Sequence, residues 1–337
     1  MNLPRFTYHS PGSLKECIAM LSDQKDQKNG TQVIAGGSDL LVRMKLRLET
    51  PGRLVSLSDI PALKDITYLP GKGLTIGAGV ALSALASDAV IQEKCPALAD
   101  AAALVATNQI RTVATVGGNI LQNTRCRYYN RSPVWGKAVA PCFKRNGAVC
   151  HVVPRGKRCF AVYQGDLAPL LIALNATVTT VSKKDAEEVS VESLYSGDGK
   201  TPFNDMAGRI ATAFTIPEDS LTMQVAYRKY RLRGGIDFPL AGVAASLKLH
   251  NGLVEDLRLC LTGVASCPVP VKGAGETAKG KPLSRDVARE AAKLAYAAAH
   301  PLANLEGDPV TRRSMIRIMT EDILIKAVDS IKAVDSR

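Results

Sequence analysis

The chain has 337 residues, 46% of them hydrophobic, and a net charge of +12 at pH 7, enough apolar material for two or three cores of ordinary size and too much for a disordered polyelectrolyte. The longest apolar run begins at residue 167, is interrupted at Asn175, and falls far short of a bilayer span. A globular, soluble protein is expected. The opening MNLPRFTYHS carries no signal-peptide pattern, which points to a reducing, cytoplasmic compartment.

Residues 13–21 have helical spacing behind a serine in the N-cap position, 32–35 form a short apolar strand and 39–46 resume a helix, giving a small α/β unit. From 66 to 80 the pattern turns to strand, with Leu74, Thr75 and Ile76 between glycines, and alanine-rich helices follow at 81–90 and 96–106. A second subdomain is expected to start there. Beyond a cysteine-bearing segment, 166–174 reads as a buried helix and 176–182 and 207–216 as strands. Gly/Pro-rich stretches around 196–204 and 233–239 are candidate boundaries. The last third has strands at 241–249 and 253–262, then helices at 284–299 and 309–333, the pattern of a separate α+β domain.

Two glycine pairs sit where an anion could bind. Val33, Ile34, Ala35, Gly36, Gly37, Ser38, Asp39 and Leu40 run from a strand through Gly-Gly into a helix start, a geometry that can aim free N–H groups at a phosphate. Thr115, Val116, Gly117, Gly118 and Asn119 repeat the idea with a hydroxyl and an amide as further donors. Either pair alone can be an ordinary tight turn; two in one domain point to a ligand with two phosphates. No G-x-G-x-x-G follows a strand, which argues against a Rossmann site. A near-match to an ATP-binding loop at 275–281 places Pro282 where a metal-holding hydroxyl belongs.

Cys126, Cys142, Cys150 and Cys159 are separated by fifteen, seven and eight residues, and residues 125–158 hold nine Arg or Lys and no Asp or Glu. Nearby cations lower thiol pKa values and stabilise a negative thiolate centre. Structural zinc sites grip with closely spaced cysteine pairs, whereas the larger core of a 4Fe–4S cubane tolerates ligands from four separate turns. A zinc site, a solvated basic loop and a disulfide framework are the alternatives. His151 is a neighbour of the sulfurs rather than a needed ligand, and Cys17, Cys95, Cys260 and Cys267 read as small core residues.

The motifs AGGSDLL at 35–41, TVGGN at 115–119, GDLAPLLIAL at 165–174 and KYRLRGGIDFPLAGVA at 229–244 resemble the FAD subunits of the molybdenum hydroxylase family, which includes xanthine and carbon monoxide dehydrogenases. The resemblance extends over essentially the whole chain, and LTGVASCPVPV at 261–271 resembles the family's C-terminal domain. It implies an α+β fold: a two-subdomain FAD-binding domain of the PCMH/vanillyl-alcohol-oxidase type over 1–218, and a C-terminal α+β domain of the CO dehydrogenase flavoprotein type over 219–337. By the same resemblance residues 33–40 and 115–119 hold the FAD pyrophosphate and ribityl chain. Asp166 would bond the flavin, and Lys229, or another basic residue of the run at 228–233, would place a cation near its pyrimidine end.

Most members of that family run almost directly from the second Gly-Gly motif to the GDLAP-like segment. Here an insertion at 123–163 intervenes, with TRCRYYN, PCFKRNGAVCHV and RCFAVYQGD. It resembles the insertion of the 4-hydroxybenzoyl-CoA reductases, which implies a 4Fe–4S cluster on the four cysteines. The resemblance further implies a molybdopterin-containing large subunit, a small subunit with two 2Fe–2S clusters, an (αβγ)2 assembly, and reduced ferredoxin as donor for reductive dehydroxylation to benzoyl-CoA. No catalytic residue is expected on this chain, because the substrate site would lie on the molybdenum subunit; neither nucleic acid nor membrane is expected as a partner. A related molybdenum hydroxylase acting on another aromatic or heterocyclic substrate is the alternative, and a zinc-containing nucleic-acid-binding protein a remote one.

Overall fold

In a computed structural model, which describes residues 2–22 and 30–335, the chain builds three sheets. Near the N-terminus β1 (Thr7–His9), β2 (Thr31–Ile34) and β3 (Arg53–Ser56) pair in parallel in the order β1-β3-β2. Parallel neighbours need crossovers, and the helices Leu14–Ser22 and Leu40–Lys45 lie in those connections. The first of these packs Cys17 and Ile18 against Val55 and Leu63 in a small core of its own.

The second sheet is antiparallel. Its strands β4 (Ile66–Leu69), β5 (Gly73–Gly77), β6 (Thr177–Val181), β7 (Ala186–Ser190) and β8 (Ile210–Ile216) run in the order β4-β5-β8-β6-β7. The strand-like stretch from 66 onward is a hairpin, β4 against β5, turned at Gly71 and Gly73, both with positive φ. Because β8 lies between β5 and β6, the segment from residue 78 to 176 connects two interior strands of this sheet. The helix expected over 81–90 is two, Leu82–Ser87 and Ala89–Lys94. Asp88 breaks it: its backbone is extended and its carboxylate accepts the Ile91 N–H at 3.0 Å, capping the second helix.

The third sheet contains β9 (Gln224–Tyr230), β10 (Ala241–His250), β11 (Leu253–Thr262) and β12 (Val269–Pro270), antiparallel in the order β12-β11-β10-β9. Successive residues of a strand point to opposite faces, and β10 is buried on both. Ala241, Val243, Ala245 and Leu247 pack with the helices Arg285–Ala298 and Pro309–Asp335. Ala244, Tyr227 and Cys260 face the other way, into the main core built around the helix Leu167–Ala173. One sheet is therefore the shared wall of two cores, and this fixes the C-terminal half rigidly against the FAD-type domain.

Candidate functional site

The two glycine turns meet. Residues 33–40, Thr115, Gly117 and Gly118 line one cavity of about 210 Å3, together with Arg43, Gln122 and Arg209. Their meeting depends on the absence of side chains. A Cβ at Gly36 would collide with the carbonyl of Val113, and one at Gly117 would lie 2.9 Å from the Ala78 carbonyl oxygen. Gly37 has φ 70°, a left-handed conformation that costs glycine nothing.

The two turns do not contribute equally. In the second, the N–H groups of Val116, Gly117 and Asn119 go to the carbonyls of Val80, Ala78 and Thr115, and that of Gly118 to Thr115 Oγ1 at 3.0 Å. In the first, the N–H groups of Gly36, Gly37, Ser38 and Asp39 have no protein acceptor among the described residues. Free donors for an anion therefore come from 36–39, a correction to the expectation that both loops donate. Thr115 and Asn119 are internal fasteners. Val116 is in the core, and Asn119 Oδ1 accepts the Leu167 N–H at 3.1 Å, tying the turn to the buried helix behind it.

Gln122 was not singled out by any motif. It is 5% exposed, donates Nε2 to the Asn119 carbonyl at 2.9 Å, and its Oε1 has no partner among the described residues. A buried acceptor left without a donor in a cavity wall is a place for a ligand hydroxyl or N–H. With four free N–H donors across from it, the cavity suits a phosphate-bearing ligand that also carries hydroxyl groups.

Asp166 and Lys229 do not line this cavity. Lys229 Nζ lies 3.0 Å from Asp166 Oδ1, and the Tyr227 hydroxyl donates to the same oxygen at 2.9 Å. Burial pushes the Asp166 carboxyl above the usual carboxylate range, and the Lys229 ammonium pulls it back. The two form a buried pair in which the two charges answer one another.

The insertion is closed at its neck by reciprocal backbone bonds between Arg125 and Val162, at 2.8 and 2.7 Å. Within it Cys126, Cys142, Cys150 and Cys159 line one small cavity of about 20 Å3, with Tyr128, Phe143, Lys144 and His151. All are free thiols. Among the described residues no group of three or more His, Cys, Asp or Glu stands close enough to hold a metal ion. What the structure does place together is a donor set, four thiols around one cavity with no carboxylate in its wall. Burial raises the Cys126 thiol and pushes Cys159 up to about 11. Lys144 is the cation of this wall: its Nζ donates to Asn123 Oδ1 at 2.6 Å, to the Gly199 carbonyl at 2.6 Å and to the Thr124 carbonyl at 3.0 Å, and burial lowers it to about 8. His151 donates Nε2–H to the Ala140 carbonyl at 2.7 Å and stacks near Tyr128.

Comparison with known proteins bears on the whole chain. The FAD binding domain of molybdopterin dehydrogenases matches residues 4–219, and the CO dehydrogenase flavoprotein C-terminal domain matches residues 225–327. The FAD-binding subunit of an aldehyde oxidoreductase from Escherichia coli is 32% identical over 88% of this chain and 92% of its own. The carbon monoxide dehydrogenase medium chain of Hydrogenophaga pseudoflava is 28% identical over 95% and 96%. Among solved structures, quinoline 2-oxidoreductase from Pseudomonas putida 86 superposes with a TM-score of 0.77 at 25% identity, covering 98% of this chain and 99% of its own. A cavity built on two glycine turns, the α+β architecture and these matches agree: the chain belongs to the FAD-binding subunits of the molybdenum hydroxylase family, the group of xanthine and carbon monoxide dehydrogenase oxidoreductases.

Proposed function

We propose that this chain is an electron-transfer subunit carrying both FAD and a 4Fe–4S cluster, and that it serves a molybdenum-dependent aromatic acyl-CoA reductase of the 4-hydroxybenzoyl-CoA reductase kind. The carrying observation is the convergence of four thiols on one cavity inside a basic, carboxylate-free insertion, in a subunit whose family binds FAD. FAD and an iron–sulfur cluster, when bound, supply the electron chemistry. The residues of this chain bind and position them. Gly36, Gly37, Ser38 and Asp39 offer backbone donors to the pyrophosphate, Gln122 offers an acceptor to the ribityl chain, and Cys126, Cys142, Cys150 and Cys159 offer thiolates. Asp166 and Lys229 hold β9 against the FAD-type domain.

No substrate site is assigned to this chain. The reading therefore includes a large molybdopterin subunit, a small subunit with two 2Fe–2S clusters, and their doubling into an (αβγ)2 complex. Exposed Arg127, Arg131, Lys137, Arg155, Lys157 and Arg158 make the insertion a docking face for an acidic donor such as ferredoxin. A second reading, an FAD subunit for an enzyme of another aromatic or heterocyclic substrate, is favoured by the likeness to quinoline 2-oxidoreductase.

Anaerobic native purification tests the proposal. It should recover two further chains, flavin, and about four irons on this chain beyond those of the small subunit; reduction of 4-hydroxybenzoyl-CoA separates the first reading from the second. Stoichiometric zinc, or an iron-free chain that works at full rate in the complex, would rule the cluster out.

A further inference from the structure

Asp39 and Lys144 belong to different cavities, the first to the glycine cavity and the second to the thiol cavity. One residue joins them. The Asn123 N–H donates to Asp39 Oδ2 at 3.2 Å, its Oδ1 accepts from Lys144 Nζ at 2.6 Å, and its Nδ2 donates to Glu49 Oε1 at 3.3 Å. A second connection runs alongside. Arg125, the residue before Cys126, places Nη2 2.5 Å from Asp39 Oδ1, and its guanidinium stacks over the Phe238 ring. Arg43, in the wall of the glycine cavity, is paired with both Asp39 and Glu49.

The arrangement has an electrostatic consequence. Asp39 is a carboxylate at the mouth of four free N–H donors, where an anionic ligand would be repelled unless that charge is neutralised. Arg43, Arg125 and the Asn123 N–H neutralise it. Two of those three partners sit on the segment leading into the thiol cavity, so their positions follow that of Cys126 and Lys144. Charge-assisted hydrogen bonds between half-buried groups are strong and directional, and a shift at one end is felt at the other.

We propose that the two cofactor sites are energetically coupled through Asn123 and Arg125: ligation of the four thiols fixes these residues on Asp39 and tightens binding of the anionic dinucleotide next door, and the dinucleotide in turn secures the cluster. The proposal rests on the FAD and 4Fe–4S reading above. Coupling between binding sites is reciprocal by thermodynamic necessity. It also departs from what an insertion suggests in sequence, namely a module whose loss leaves the flavin site untouched.

The test uses the full chain, reconstituted anaerobically with iron and sulfide or stripped with chelator, and titrated with FAD by quenching of flavin fluorescence, with iron assayed in each sample. The iron-loaded protein should bind FAD at least about fivefold more tightly than the stripped protein. In Asn123→Ala and Arg125→Gln that ratio should fall toward one; should one variant fail to fold, the other and the parent comparison still decide. Equal FAD affinity with and without iron overturns the coupling while leaving both sites standing. A chain that takes up FAD but no iron overturns the cluster reading and the coupling together; one that takes up iron but no FAD does the same for the flavin assignment. A ratio unchanged in both variants overturns the route through Asn123 and Arg125.

Discussion

Lys229 reaches across from β9 to place its ammonium 3.0 Å from Asp166, with the two side chains only 2% and 3% exposed. Asp166 belongs to the segment that leads into the helix Leu167–Ala173, and Lys229 to the sheet that backs both cores. The pair is thus the charged clasp of a buried contact between the two halves, beside neutral bonds such as Ser246 Oγ to the Ala173 carbonyl at 2.7 Å and Thr262 Oγ1 to the Gly165 carbonyl at 3.0 Å. Removing one partner of such a pair costs about 3–5 kcal/mol because the other charge is left buried, whereas replacing both by apolar groups is far milder. Lys229→Met should lower the melting temperature steeply, and Asp166→Leu combined with Lys229→Met should recover much of the loss. Thermal melts of both single variants and the double variant decide; a double-variant loss equal to the sum of the two single losses would show that the residues do not act as a pair.

The glycines divide into those the fold needs and the one the ligand needs. Gly36→Val should fail to fold, because a Cβ there meets the backbone of Val113 and Ala114. Gly37→Val should be destabilised too, since its φ of 70° disfavours a β-branched residue and its Cβ would crowd Leu41 and Ile34 at 3.0 and 3.2 Å. At Gly118 a Cβ meets only Thr115 Oγ1, at 3.0 Å. Gly118→Val should therefore be the informative variant: folded by circular dichroism, but depleted of flavin absorbance. Full flavin content in that variant would remove the second turn from the site.

Much of this was legible in the sequence, and for identifiable reasons. The strand-to-glycine step at 33–37, the alternation in IATAFTI and the continuous apolar run of the helix Leu167–Ala173 are local signals, and each matches an element. β1, β3, β7, β9 and β12 were not expected. β1 and β7 are short and have little buried surface, so they carry no periodic apolar pattern, and they exist because a neighbour supplies hydrogen bonds. Of the cavity's remaining wall, Arg209 comes from far along the chain, brought in by the pairing of β5 with β8, while Gln122 lies three residues beyond the second motif and carries no pattern of its own. Asp166 and Lys229 were each marked by the family resemblance, Lys229 within a run of basic residues. That they face one another is a fact of tertiary structure.

Gln122 offers a sharper probe of the flavin cavity than the glycines do. Its Nε2 bond to Asn119 holds the side chain in place, and its Oε1 is the acceptor without a donor. A hydrogen bond to a ligand at that oxygen contributes on the order of 0.5–1.5 kcal/mol net, so Gln122→Leu should weaken FAD roughly two- to tenfold. Stability without FAD should change little, since the variant also removes the buried unpaired acceptor. Equilibrium dialysis against FAD gives the ratio, and an unchanged affinity would place the ligand elsewhere in the cavity.

Three core cysteines should stand apart from the four of the insertion when the protein is alkylated with and without iron. Burial pushes Cys17 and Cys95 up to about 11 and Cys260 well above its ordinary value. The thiolate is the nucleophile, and a rise of two units lowers its fraction at neutral pH about 100-fold. In native protein at pH 8 these three should resist iodoacetamide and react only in denaturant. The same shift makes stability pH-dependent: as pH rises from about 9 to about 11 the unfolded chain ionises these thiols while the folded chain does not, so stability is present below that window and lost through it. Cys142 is half-exposed and should label first in iron-free protein. Anaerobic loading with iron and sulfide should then protect Cys126, Cys142, Cys150 and Cys159 together, with Cys17, Cys95 and Cys260 unaffected. Mass spectrometry of the labelled peptides reads each site separately, and Cys142 labelling at the same rate before and after iron uptake would show that the four thiols do not share a cluster.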